Sequence, residues 1–137
     1  MLRPKTILLV EDDQVDCLTV KRALKEIRAT NPMDIVNNGE EALKYLVSPD
    51  NDRPGIILLD LNMPRMNGIE FLKAIKKHPE LKMIPVVILT TSRAKQDIRD
   101  SFSFGAAGYM VKPLDYREFV DAVVTIARYW RLSELPE

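Results

Sequence analysis

Short apolar blocks recur along this chain, and each runs directly into an acidic, hydroxylic or basic residue. Ile7-Leu8-Leu9-Val10 ends at Glu11, Ile56-Ile57-Leu58-Leu59 at Asp60, and Val86-Val87-Ile88-Leu89 at Thr90. Such blocks are too short for helices and β-branched enough for buried strands. Between them lie longer amphipathic stretches. Asp13 to Arg28 reads as a helix, with Leu18, Val20, Ala23, Leu24 and Ile27 mostly three or four residues apart. Met33 to Val36 reads as a short strand, and Asn37-Asn38-Gly39 as a turn into a helix from Glu40 to Val47. The pattern continues with a helix from Ile69 to about Lys77, one from Ala94 to Phe104, and a strand from Tyr109 to Val111. A last helix opens on Asp115 and Glu118, spaced as a capping pair, and carries Phe119, Val120, Val123, Ala127 and Trp130 on one face. Five strand–helix alternations predict a parallel sheet covered on both faces, because parallel strands need crossovers and doubly covered strands are apolar throughout.

The 137 residues fit one domain, 1–137, with a core of about 5–130 and a short tail, 131–137. Twenty basic residues balance twenty acidic ones. That balance argues against nucleic acid or an anionic membrane as partner. The longest apolar runs fall far short of the ~20 residues that span a bilayer, so a soluble, cytoplasmic chain is expected. Cys17 stands alone, which excludes an internal disulfide. His78 reads as a surface residue at a helix end, and Gly105 and Gly108 as turn residues.

In open parallel sheets, ligands bind at the carboxyl ends of the strands. Those ends here carry Glu11, Asp12 and Asp13, then Asp60, then Thr90, Thr91 and Ser92, then Lys112. Converging carboxylates repel unless a cation or protons intervene. A hard divalent ion such as Mg²⁺ takes one or two carboxylates and leaves positions for phosphate oxygens. A carboxylate nucleophile, a metal, a lysine and a hydroxyl are together the parts for phosphoryl transfer to an aspartate. Any one polar strand end is most simply a solvated one; the whole set at one rim is not.

These residues closely resemble a known family. Leu9 to Asp13, Leu58 to Pro64 with Gly68 four residues on, Ile88 to Thr90, and Tyr109 to Pro113 are similar to the receiver domain of two-component response regulators. More narrowly, the chain resembles stand-alone receivers that partner phytochrome-type sensor histidine kinases. That likeness lies in Ile57 to Pro64, in Pro79 to Pro85, and in Tyr129-Trp130 with Leu135-Pro136. The resemblance implies a flavodoxin-like, doubly wound five-stranded sheet of order 2-1-3-4-5 in a single domain. It implies that Asp60 accepts a phosphoryl group from a kinase histidine. Mg²⁺ would be held by Asp12 and Asp60, by the Asn62 backbone carbonyl, and by Glu11 through water. Lys112 would pair with the phosphoryl group, with the Lys112–Pro113 bond cis, and Thr90 and Tyr109 would form the switch. Apolar residues on more than one face of the last helix suggest a partner surface or homodimer with Tyr129, Trp130 and Leu132 near the contact, or else a tail folded over its own core.

The reading is therefore of a cytoplasmic phosphoprotein in a phosphorelay, signalling to a downstream protein partner and not acting as an enzyme. A flavodoxin-like cofactor binder would need a first loop that welcomes phosphate, and Glu11-Asp12-Asp13 does the reverse. A small-molecule phosphatase would need a cap insertion for which no segment is long enough.

Overall fold

The computed structural model describes residues 5–132, the side chains of Arg131 and Leu132 excepted. The elements are β1 (Ile7–Val10), α1 (Gln14–Glu26), β2 (Met33–Val36), α2 (Gly39–Val47), β3 (Ile56–Leu59), α3 (Gly68–Lys76), a 3₁₀ turn (Leu81–Met83), β4 (Val86–Thr90), α4 (Lys95–Ser103), β5 (Gly108–Val111) and α5 (Tyr116–Leu132). All strand pairs are parallel, in the order β2-β1-β3-β4-β5. Both the alternation and the strand order match the expectation.

Four of the five helices, α4 excepted, begin where a side chain accepts a backbone N–H that the helix itself leaves unpaired. Asp13 caps α1 and Asn38 caps α2. Asn67 and Glu70 form a reciprocal capping box on α3, and Asp115 accepts from the Glu118 N–H at 2.9 Å.

Alternate residues of the central strands feed two separate cores. Leu8, Val10, Ile57, Leu59 and Ile88 pack with Phe71, Leu72, Ile75, Leu81 and Ile84 on one face. On the other, Ile7, Leu9, Ile56, Leu58 and Leu89 pack with α1 and α5, through Val20, Ala23, Leu24, Phe119, Val120, Val123 and Trp130. Burying one such side chain contributes about 1.5–3 kcal/mol, so β1 and β3, buried along their whole length, hold the molecule together.

Three expectations need correction. Leu18 is 62% exposed, because the inward stripe of α1 is Cys17, Val20, Ala23 and Leu24, and Leu18 sits about 100° round the helix from Cys17. Trp130 is buried in the α1/α5 core with the rest of the inward stripe expected of the last helix, only 6% exposed, so it is not available as a dimer contact, whereas Tyr129 is exposed; a large ring gains more from the core than from a surface. Leu132 closes α5, but its side chain lies outside the described residues, as does the tail beyond it. Finally, no cis peptide occurs among the described residues, so Lys112–Pro113 is trans. Trans is the lower-energy isomer even before proline, and from it the Lys112 side chain already reaches the acidic rim.

Candidate functional site

Strand register assembles the site. Val10 pairs with Leu59, so the next residues, Glu11 and Asp60, leave the sheet side by side. Their backbones are held by N–H bonds to Val36 and Val10 respectively, at 2.9 and 3.0 Å. The Lys112 N–H donates to the Thr90 carbonyl at 2.7 Å, which brings the lysine to the same rim. Gly68 closes the loop after Asp60. A Cβ there would stand 2.5 Å from the Asp60 carbonyl oxygen and 2.8 Å from Leu61 Cα.

One carboxylate oxygen each from Glu11, Asp12 and Asp60 lies within 4.8 Å of the others. Glu11 and Asp60 are buried and Asp12 is exposed. Lys112 Nζ, itself buried, donates to Glu11 Oε1 at 2.6 Å and to Asp16 Oδ2 at 2.7 Å, and stands 3.7 Å from Asp60 Oδ2. Burial, with the nearby Asp60 charge adding to it, pushes the Glu11 carboxyl up to about 7 despite the lysine. Burial alone would lower the Lys112 ammonium, but its hydrogen bonds to Asp16 and Glu11 outweigh that and hold it charged.

The hydroxyl side is equally ordered. Thr90 is fully buried, and its Oγ1 accepts from Ser92 N at 3.4 Å and Asn62 Nδ2 at 3.5 Å. Ser92 Oγ donates to Asp97 Oδ2 at 2.6 Å, and the Tyr109 hydroxyl donates to the Ser92 carbonyl at 2.9 Å. Thr90, the loop after β4 and Tyr109 are thus mechanically connected.

Glu11, Asp12, Asp60, Asn62, Thr90 and Lys112 are therefore brought to one rim, with Tyr109 one hydrogen-bond step away. Asp13, grouped with the rim acids by position, instead caps α1. Asp16 is the residue that sequence reasoning missed. The available signal was its place one helical turn after Asp12 and Asp13, at the start of a helix that leaves the rim. Cys17 is buried beneath Glu11, and burial pushes its thiol up to about 11, which keeps it unreactive. His78 is exposed, its Nδ1 accepting the Glu80 and Leu81 N–H groups, a local turn and no ligand set.

The donor set is all oxygen, crowded and short of positive charge, which fits a hard divalent cation. Glu11, Asp12 and Asp60 are the side chains placed to hold it.

Sequence and structure comparisons define the class. A family model described as the response regulator receiver domain matches residues 7–124, and the chain belongs to that family. Response regulator Rcp1 of Synechocystis sp. is 37% identical over 131 residues, covering 93% of this chain and 89% of Rcp1. Among solved structures, the phosphorylated cyanobacterial phytochrome response regulator RcpA superposes with a TM-score of 0.94 at 35% identity, covering 98% of this chain and all of that one. The Mn²⁺-bound form of Rcp1 gives 0.92 at 36% identity, with the same coverage. This chain is a phosphoacceptor receiver of two-component signalling, and its cofactor is Mg²⁺, for which the Glu11, Asp12 and Asp60 oxygens form the acidic pocket. Among the described residues no helix is long and apolar enough to cross a membrane.

Proposed function

We propose that the chain is one receiver unit spanning residues 1–137 that works as a stand-alone response regulator, taking its phosphoryl group onto Asp60 from the phosphohistidine of a sensor kinase of the phytochrome type. The observation that carries this reading is the rim itself: Asp60 buried against Glu11 and Asp12, with Lys112 Nζ 3.7 Å away. An Asp60 carboxylate oxygen attacks the phosphorus. The O–P bond forms, the P–N bond breaks, and the leaving imidazole nitrogen keeps the electron pair and is protonated. Bound Mg²⁺ supplies charge neutralisation for the phosphoryl oxygens. Lys112 offers its ammonium to the same oxygens, and the Asn62 carbonyl, with Glu11 through a water, would help hold the ion. The Thr90 hydroxyl turns toward the phosphoryl group, and its links through Ser92 to Tyr109 carry the change to the α4–β5–α5 face, where a downstream protein or a second copy docks beside Tyr129. The chain turns over no small-molecule substrate. Its similarity to RcpA, described as a cyanobacterial phytochrome response regulator, supports the choice of kinase class.

An exposed apolar face suited to the kinase adjoins the rim. Val15 and Leu18 on α1, with Leu114 and Tyr116 after β5, are large apolar side chains open to solvent. Val15, Leu18 and Tyr116 line a shallow groove of about 460 Å³ edged by Lys21, Arg22 and Lys25, on α1, which carries Asp16, and at the start of α5, four residues after Lys112. A helical partner docked there delivers its phosphohistidine to the rim.

Intact mass after incubation with acetyl phosphate and Mg²⁺ tests the acceptor. One added phosphoryl group, lost with EDTA or in Asp60→Asn, is expected. A phosphorylated Asp60→Asn protein, or a wild type that takes up neither phosphoryl nor beryllofluoride, would overturn it.

A further inference from the structure

Lys112 has three ammonium protons, and their distribution in the unphosphorylated protein is uneven. Two are directed at Glu11 and Asp16, at 2.6 and 2.7 Å, whereas Asp60 at 3.7 Å is beyond hydrogen-bond reach. Asp16 is held in place for this contact. It lies in the first turn of α1, where its N–H donates to the capping Asp13 carboxylate at 3.0 Å. Among the described residues, the carboxylates close enough to share a cation are Glu11, Asp12 and Asp60. Asp16 is outside that group, so its role is toward the lysine.

We propose that Asp16 is a positioning residue that holds the Lys112 ammonium off Asp60 in the resting protein and yields it when a phosphoryl group arrives. This deepens the reading of Asp60 as acceptor and rests on it. Phosphorylation places additional anionic oxygens beside Asp60, and the ammonium turns toward them. One of its two carboxylate contacts must loosen. The Glu11 side chain is 2% exposed and the Asp16 side chain 21%. A carboxylate that can recover water gives up an ion pair at less cost than one sealed from solvent. Asp16 therefore releases and Glu11 stays. The Asp16 contact opposes the active geometry and sets how strongly a phosphoryl group must pull to obtain its lysine.

The test uses the full chain with beryllofluoride as phosphoryl mimic. At saturating Mg²⁺, calorimetric affinity for beryllofluoride is expected to rise about three- to tenfold in Asp16→Asn, the scale of one partly exposed charged hydrogen bond. Asp16→Glu, which can still reach the ammonium, is expected to return toward wild type. Asp16→Ser serves as a second neutral variant should Asp16→Asn fold poorly. An independent readout needs neither metal nor mimic: in metal-free urea unfolding, the midpoint lowered by Asp16→Asn should be unaffected by that change in a Lys112→Met background. Unchanged or weaker beryllofluoride binding in both neutral variants, or the same midpoint loss with and without Lys112, overturns the proposal. Asp60→Asn runs alongside. Beryllofluoride binding that survives that substitution points to a failure of the acceptor assignment itself.

Discussion

At the scale of single residues, the site depends on what is missing at Gly68 as much as on what is present at Asp60. The α3 start passes so close to the Asp60–Leu61 backbone that an added methyl would meet main-chain atoms, and main chain cannot turn aside. Gly68→Ala is therefore expected to cost about 1–3 kcal/mol, the usual range for forced overpacking, read as a lower urea midpoint with unchanged m-value. Gly105 is required for a different reason: its φ of 88° lies where a side chain is strained. The acids and Lys112 were legible as single residues because each stands where an apolar strand stops. Asp16 was not, because its partner Lys112 is 96 positions away.

Among elements, α1 and α5 are joined on the outside as well as through the core. Arg117 donates to both carboxylate oxygens of Glu26 at 2.7 and 2.6 Å, and also to Asp121. The Arg117 guanidinium holds the Glu26 carboxyl below its ordinary value of 4.5. A carboxyl lowered by folding stabilises above its unfolded pKa, and that contribution is lost as pH falls through the folded one. The Tm gap between wild type and Glu26→Gln should thus be present at neutral pH, begin to shrink as pH falls below about 4.5, vanish once pH has fallen through the lowered folded-state value, and shrink in salt. On the opposite side, removing the α3 cap with Asn67→Ala should lower stability by about 1 kcal/mol in urea titration. Helix α4 differs from the others. It has no side-chain cap on its first residue and fully buries only Ser101. Its amides are expected to exchange with deuterium faster than those of α1, α3 or α5, and a helix so lightly held is the one that a shift of Thr90 and Ser92 can move.

For the whole molecule, phosphoryl chemistry and partner recognition occupy neighbouring but separable surfaces. Leu18→Asp, on the exposed groove of α1, is expected to slow phosphorylation by the cognate kinase at least tenfold, on the scale of a desolvated interface contact of about 1.4 kcal/mol or more. Its rate with acetyl phosphate should stay unchanged. Equal slowing with both donors would place Leu18 in the phosphoryl site rather than the interface. Tyr129, exposed beside the buried Trp130, is the corresponding probe of the α5 face: Tyr129→Ala should weaken any self-association seen by sedimentation while leaving the unfolding midpoint in place.

The sequence by itself determined the strand–helix alternation, the parallel sheet and the identity of the rim residues. Those are local signals: a short apolar run, its polar end, a cap, a turn. Leu18, Asp16 and the Lys112–Pro113 bond were decided only in three dimensions. Which face of a helix is buried depends on the exact angle at which a neighbour packs, so one residue's rotation put Cys17 inside and Leu18 out. An ammonium chooses among carboxylates by distance, and distances between strand ends and helix starts exist only once the sheet has formed. The tertiary structure thus gave Lys112 to Glu11 and Asp16 in the resting state, and left Asp60 waiting 3.7 Å away.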